Sequence, residues 1–227
     1  MRRTKQAKSE THERIVAAAT RRFRAGGIAG VGVADVMGEA GLTHGGFYAH
    51  FASKDALVAE ACGVGLAQSR ERLIRKIQRE PAERQLAAYI DIYLSAEHRD
   101  HPEAGCVMPT LSGEVARSSS EVRAAFTQAY EDYRDTLASL LPDAGGNSNE
   151  SRDETSDEAM VLLAGLAGTM LLARAVDDPA LSERMLRVNR EYYKRAFSEG
   201  IASDAQPQQP QQPQQPQQSQ QSQQPQQ

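Results

Sequence analysis

Three groups of residues in this 227-residue chain have the types and spacing to do chemistry. The densest lies between Thr43 and Lys54. Thr43 can cap a helix and offer its hydroxyl to a phosphate, and the helix N-terminus behind it adds free N–H groups aimed at the same anion. His44, at the helix start, is the best placed side chain to read a base edge. Tyr48, His50 and Lys54 are spaced to bring a phenol, an imidazole and an ammonium to phosphates. Gly45 and Gly46 each disfavour a helix by about 1 kcal/mol relative to Ala, a cost that close approach to a DNA backbone or base edge would explain.

The second group surrounds Cys106, whose thiolate would be favoured if Pro102-Glu103-Ala104-Gly105 opens a helix there. His98, His101, Glu97, Asp100 and Glu103 lie nearby, but their spacing is loose for a tetrahedral metal site and reads as a charged interhelical loop. No metal or cofactor is expected. The same residues are the only material for cysteine–histidine catalysis, and no oriented third group accompanies them, so an all-α ligand-binding or thiol-dependent enzyme is the weaker alternative. Cys62 falls on an apolar stripe and reads as structural. The third group is aromatic: Tyr89, Tyr93, Phe126, Tyr130 and Tyr133 suit the wall of a largely apolar ligand pocket.

The elements that must position these groups are helical throughout. Between Ser9 and Gly200 apolar residues recur at helical spacing and nowhere alternate with period two, which predicts an all-α fold. A first helix carries Ile15, Ala19 and Phe23 and stops at Gly26-Gly27. Val33, Val36, Met37 and Ala40 line a short second helix, and Thr43 opens a third. Ser53 caps a long fourth helix through Ile77. Leu86, Tyr89, Ile90, Tyr93 and Leu94 form one later stripe, and Val122, Phe126, Tyr130, Tyr133, Leu137 and Leu140 another. Asp143 to Asp157 reads as a polar loop. A last helix, opened by Pro179, carries Leu181, Met185, Val188, Tyr192 and Ala196.

Composition bounds the rest. With 40% apolar, 25% charged and 5% aromatic residues and no Trp, the chain suits a helical soluble domain better than a β sandwich. Two cysteines are too few for a disulfide framework, and the polar start carries no apolar leader, so a cytoplasmic location is expected. The uncharged run Ala159 to Ala173 is 15 residues long, short of the roughly 20 that span a bilayer, and no membrane is expected as a partner. Such a helix needs cover on several sides, which points to a dimer interface through Leu163, Ala167, Met170, Leu171, Met185 and Tyr192. Residues 206–227 contain 15 Gln, 5 Pro and 2 Ser, the composition of a disordered tail.

Gly32 to Leu57 reads as helix, tight turn, helix, the arrangement that lays a second helix in the major groove. Val33 to Ala40 is the supporting helix and Thr43 to His50 the recognition helix. Charge supports this: residues 1–54 hold nine Lys or Arg and four Asp or Glu, a balance of +5, and residues 55–227 hold 17 and 26, a balance of −9. A net charge of −4 therefore hides a cationic end. Arg2, Arg3, Lys5 and Lys8 read as an unstructured basic arm (residues 1–8) that reaches neighbouring phosphates.

The stretch from Thr43 to Leu57, T-x-G-x-F-Y-x-H-F-x-S-K-x-x-L, resembles the DNA-binding domain of the TetR family of bacterial transcriptional regulators, over roughly Ser9 to Ala61. Gly32 departs from it, standing where Ser or Thr usually caps the supporting helix. Gly105-Cys106, with Leu111 and Glu114, is similar to a segment of some members, electrophile and oxidant sensors among them. That likeness makes Cys106 a candidate sensor thiol. The resemblance implies an all-helical homodimer of about nine helices per chain, a C-terminal ligand-binding and dimerisation domain, and repression at a palindromic operator relieved by a small-molecule inducer. The expected division is residues 1–8 arm, 9–55 helix-turn-helix, 56–200 ligand and dimer domain, and 201–227 tail.

Overall fold

The structure is a computed structural model that describes residues 2–142 and 149–198, so the expected tail lies outside the described residues. The chain runs α1 (Arg2–Gly30), α2 (Val33–Glu39), a 3-10 helix (His44–Ala49), α3 (Lys54–Ile77), α4 (Ala82–Tyr93) and α5 (Ala96–Asp100). A second 3-10 turn (Pro102–Ala104), α6 (Met108–Val115), α7 (Ser120–Ala138), α8 (Asn149–Ala175) and α9 (Pro179–Ser198) follow. No strand occurs among the described residues, as the apolar spacing predicts.

In the N-terminal unit, Ile15, Ala19 and Phe23 of α1, Val36 and Met37 of α2, and Phe47 and Phe51 close on Leu57 and Val58 of α3. Two short elements thus share one core with two long ones, which short helices require because two turns are unstable alone. Ser53 caps α3 as expected, its Oγ accepting from the Ala56 N–H at 3.0 Å. Gly32 brings no side chain to α2, and the Asp35 carboxylate compensates by accepting from the Gly32 N–H at 2.8 Å.

Two expectations for this unit are corrected. The basic segment is not an unstructured arm: residues 2–8 continue α1. It contains neither Gly nor Pro, and Gln6 to Glu10 (3.2 Å) and Ser9 to Glu13 (3.2 Å) bridge one turn each. By contrast, the first helix does break at Gly26-Gly27, as expected. Gly27 turns the chain with φ +74°, and helical geometry resumes to Gly30 because the Glu114 carboxylate of α6 accepts from the Ile28 (3.1 Å) and Ala29 (2.7 Å) N–H groups. Finally, the recognition segment is a 3-10 helix, and Thr43, at its cap position, makes no side-chain capping bond. Gly45 and Gly46 weaken α-helix there, and the segment is short enough for the tighter form.

The C-terminal unit packs around the second half of α3. Helix α7 lies along α3, α8 against α7 and α9, and α4 against α9. Tyr89, Tyr93 and Tyr133 are fully buried between them. The expected loop Asp143 to Asp157 is corrected in part, since α8 begins at Asn149. Residues 149–157 are polar but hold no Gly or Pro, and polarity alone does not stop a helix. The reading of α8 as too short for a bilayer is corrected as well: Thr155–Ala175 is long and apolar enough to cross a membrane by length and composition. Within the fold, its Leu162, Leu163, Leu166 and Met170 are fully buried against the neighbouring helices.

Glu114 is therefore a clamp between α6 and the last turn of α1. Glu114→Ala is expected to lower stability by about 1–3 kcal/mol, the range for hydrogen bonds to a charged acceptor, and Glu114→Gln by less, as read by chemical denaturation.

Candidate nucleic-acid interface and effector cavity

The stacked rings of Phe47 and Phe51, 5.6 Å between centroids, anchor the 3-10 helix from below. Phe47 is buried, and Tyr48, next in sequence, is 71% exposed. His44 approaches Tyr48 edge-on at 6.4 Å, and Thr43, His44 and Gly45 are exposed with it. Gly46 is half-buried over Met37. Of the seven residues expected to meet DNA, the structure thus gathers Thr43, His44, Gly45 and Tyr48 on a solvent-facing rim, with free hydroxyl, imidazole and phenol groups.

His50 and Lys54 are placed differently. Lys54 Nζ donates to the Ile28 carbonyl at 2.6 Å and ties α3 to the end of α1. His50 is half-buried, its Nδ1 has no partner, and its ring lies 5.8 Å from that of His12. Burial, then the neighbouring His12 and Lys8, lower its pKa. His12 itself stacks on Phe51 at 4.5 Å and pairs with Glu60 of α3 at 2.8 Å. Sequence spacing gave no sign of this contact, which joins residues 48 positions apart. Glu39 likewise clamps α2 to Arg21 and Arg22 of α1, whose hydrogen bonds outweigh its partial burial and lower its pKa.

The expected aromatic pocket is corrected. Tyr89 donates to the Tyr133 hydroxyl at 3.0 Å, and burial raises the pKa of both phenols and of Tyr93. These three rings are core, with Phe126 and Tyr130 packed half-buried beside them. The cavity, about 200 Å³, opens instead between α3, α4, α5 and the second 3-10 turn. Ser69, Arg72, Leu73, Ile92, His98 and Cys106 are among its lining residues. Only Cys106 of the expected site residues reaches it.

Cys106 does not begin a helix, because Gly105 is extended and α6 starts at Met108. Its thiol is buried, and burial raises its pKa against the opposing pull of Tyr93, Arg24 and Arg174. The favoured thiolate is thereby corrected to a protonated thiol. Cys62 is buried too, its pKa pushed up to about 12. Among the described residues no metal-binding cluster forms. His98 has no free lone pair for one: Nδ1 donates to the Tyr93 carbonyl (2.6 Å) and Nε2 accepts from the Cys106 N–H (2.9 Å).

The expected interface residues divide. Leu163 and Met170 are fully buried within the chain and are core, a correction that follows from α8 having α7 and α9 on either side. Ala167 and Met185 are half-buried, and Leu171 and Tyr192 are exposed. Leu181 and Val188 of the last helix's apolar stripe are exposed as well, as are Val161 and Leu172, which the sequence did not single out. Val161 and Leu172 share one face of α8, with Leu171 at its edge, and Leu181, Val188 and Tyr192 share one face of α9.

Comparison with known proteins agrees with this geometry. The family model for bacterial regulatory proteins of the tetR family matches residues 15–61, and that for the tetracyclin repressor-like C-terminal domain matches residues 82–188. The chain belongs to the TetR family. YerO of Bacillus subtilis (strain 168), described as an uncharacterized HTH-type transcriptional regulator, is 27% identical over 125 residues, 52% of this chain and 41% of that protein. The match thus spans about two fifths of the relative's length. Among solved structures, the reduced form of Escherichia coli NemR is 21% identical with a TM-score of 0.65, covering 83% of this chain and 97% of that one. A TetR transcriptional regulator from Chloroflexus aurantiacus J-10-fl is 22% identical with the same TM-score, covering 85% and 98%. At these identities the likeness is one of fold.

This TetR chain carries a pH dependence in His98, whose pKa falls to about 4, through burial first and then the nearby cations against the bond to Tyr93. The unfolded imidazole, near 6.5, binds more protons than the native one between about pH 4 and 6.5. Stability is therefore expected to fall across that window as pH drops, by about 3 kcal/mol at most. His98→Asn should remove most of this slope in denaturation midpoints measured from pH 7 to 4.

Proposed function

We propose that this chain is a homodimeric DNA-binding transcriptional regulator of the cytoplasm, a repressor that an inducer releases from a palindromic operator. The observation that carries the reading is the solvent-facing rim of Thr43, His44, Gly45 and Tyr48, held rigid by buried Phe47 in the cationic part of the chain. Tyr48 and Thr43 supply phosphate contacts and His44 the base-edge contact, while Gly46, His50 and Lys54 hold or border the rim. The basic turns of α1 add salt-dependent affinity through Lys5 and Lys8, both exposed.

The exposed apolar stripes of α8 and α9 support the dimer. Six large apolar side chains there, between 43% and 62% exposed, need a second copy to cover them. Two-fold symmetry then sets two recognition segments about one turn of DNA apart.

Helix α3 supports the link to an inducer. It starts at Lys54 beside the recognition segment and lines the cavity with Ser69, Arg72, Leu73 and Lys76, about 27 Å further on at 1.5 Å per residue. A ligand that prefers one tilt of α3 shifts the spacing of the two readers, by no more than its difference in affinity for the two conformers. Cys106 is the thiol that an electrophilic inducer would meet in this cavity.

Tyr48→Ala should weaken binding to a palindrome upstream of the chain's own gene by about tenfold or more in a gel shift, with unchanged thermal stability. Unchanged affinity would place the DNA face elsewhere. Leu172→Glu combined with Tyr192→Glu should convert a dimer to a monomer in sedimentation; a dimer that persists would remove α8 and α9 from the interface.

A further inference from the structure

Four cations lie in or behind the cavity wall: Arg72 and Lys76 line it, and Arg24 and Arg174 bond the lining residues Ser69 and His98. Arg24 is buried, and its guanidinium is held only by neutral acceptors: the Gly65 carbonyl (2.6 Å), the Ser69 hydroxyl (3.3 Å) and the Glu103 carbonyl (3.5 Å). Its Nε has no partner at all. Burial, reinforced by Arg72, pulls its pKa down to about 10. Arg72, on the cavity wall, donates to the Ala104 carbonyl. Arg174 donates to the carbonyls of His98 and Arg99 and to the Thr110 hydroxyl. Among the described residues none of these three guanidiniums has a carboxylate oxygen within 4.0 Å.

Desolvated cations are ordinarily paired, because the attraction of a counterion is what offsets lost hydration. Two carboxylates, those of Glu97 and Glu103, also line the cavity, each paired with another lining residue rather than with Arg24, Arg72 or Arg174. Glu97 meets Lys76 at 3.7 Å and Glu103 meets His101 at 3.4 Å, both exposed pairs of the rim that contribute little and exchange readily. His98 is no counterion either, its ring being neutral and spent on two backbone groups.

We infer that the cavity is the binding site of a compact organic anion, a carboxylate on a small apolar body. Its charged end lies at Arg72 and Lys76, backed by Arg24 one layer beneath, and its body lies against Leu73, Ile92 and Ala104. A volume of about 200 Å³ suits a single ring or a short acyl chain. This deepens the effector reading of the same cavity and rests on it only for the consequence at DNA, since binding can be measured without DNA.

The test uses benzoate as the probe, with benzamide as its neutral counterpart and inorganic phosphate as an anion without an apolar body. Calorimetry on the full chain is expected to show benzoate bound about tenfold or more tighter than benzamide or phosphate. Arg72→Gln should lose that preference, and Arg75→Gln, a charge of the same helix that pairs with Glu71, should keep it. Thermal unfolding of each variant confirms that it is folded. Equal binding of benzoate and benzamide, equal binding of benzoate and phosphate, no benzoate binding at millimolar concentration, or wild-type affinity in folded Arg72→Gln would each overturn the assignment. Benzoate bound as expected but without effect on the operator gel shift would leave the anion site standing and remove the effector reading instead.

Discussion

Helix α3 belongs to two cores at once, and the rest of the molecule is arranged around that constraint. Leu57, Val58 and Ala61 close the N-terminal unit against Ile15, Phe23 and Phe47, while Leu66, Leu73 and Ile77 face the C-terminal helices. No flexible linker separates the units, so a rotation of α3 demanded by one core is felt by the other. Close-packed interiors shift between discrete packings rather than deforming smoothly, which makes a shared helix an effective mechanical link.

Polar clamps reinforce that link where apolar packing is thin. Lys54 bonds the Ile28 carbonyl, Glu114 the amides of Ile28 and Ala29, and Arg24 the carbonyls of Gly65 and Glu103. All three converge on the end of α1, next to the turn at Gly27. A change in the Glu103–Cys106 segment therefore has a hydrogen-bonded route to the recognition unit that does not pass through α3 alone. Glu39 and His12 do the same within the unit, each holding two helices together through side-chain hydrogen bonds and leaving the exposed rim free of structural duties.

Much of this was legible in the sequence, for reasons that differ by element. The recognition unit was readable because its residues carry both local and chemical information: Ser53 is a cap, Phe47 and Phe51 are the only large apolar groups of a polar stretch, and their neighbours must face solvent. The C-terminal unit was less readable. Tyr89, Tyr93 and Tyr133 sit at helical spacing whether they line a cavity or fill a core, and the distinction depends on whether α7 approaches closely enough for the Tyr89–Tyr133 bond. The basic start and the stretch 149–157 read as irregular because they are polar, yet a helix needs only the absence of Gly and Pro and a neighbour to join.

What the sequence determined by itself was the all-helical fold, the family and the cationic helix-turn-helix unit, because these rest on periodicity and on residues close together in the chain. The tertiary structure decided which apolar residues of α8 are core and which are left bare, that Cys106 is a protonated buried thiol rather than a helix-activated one, and where the cavity lies. It also placed Arg72 in the cavity wall, with Arg24 and Arg174 bonded to other lining residues and none of the three paired with a carboxylate among the described residues. Burial, electrostatic environment and empty space are properties of packing between residues 40 to 150 positions apart, and no local pattern along the chain encodes them.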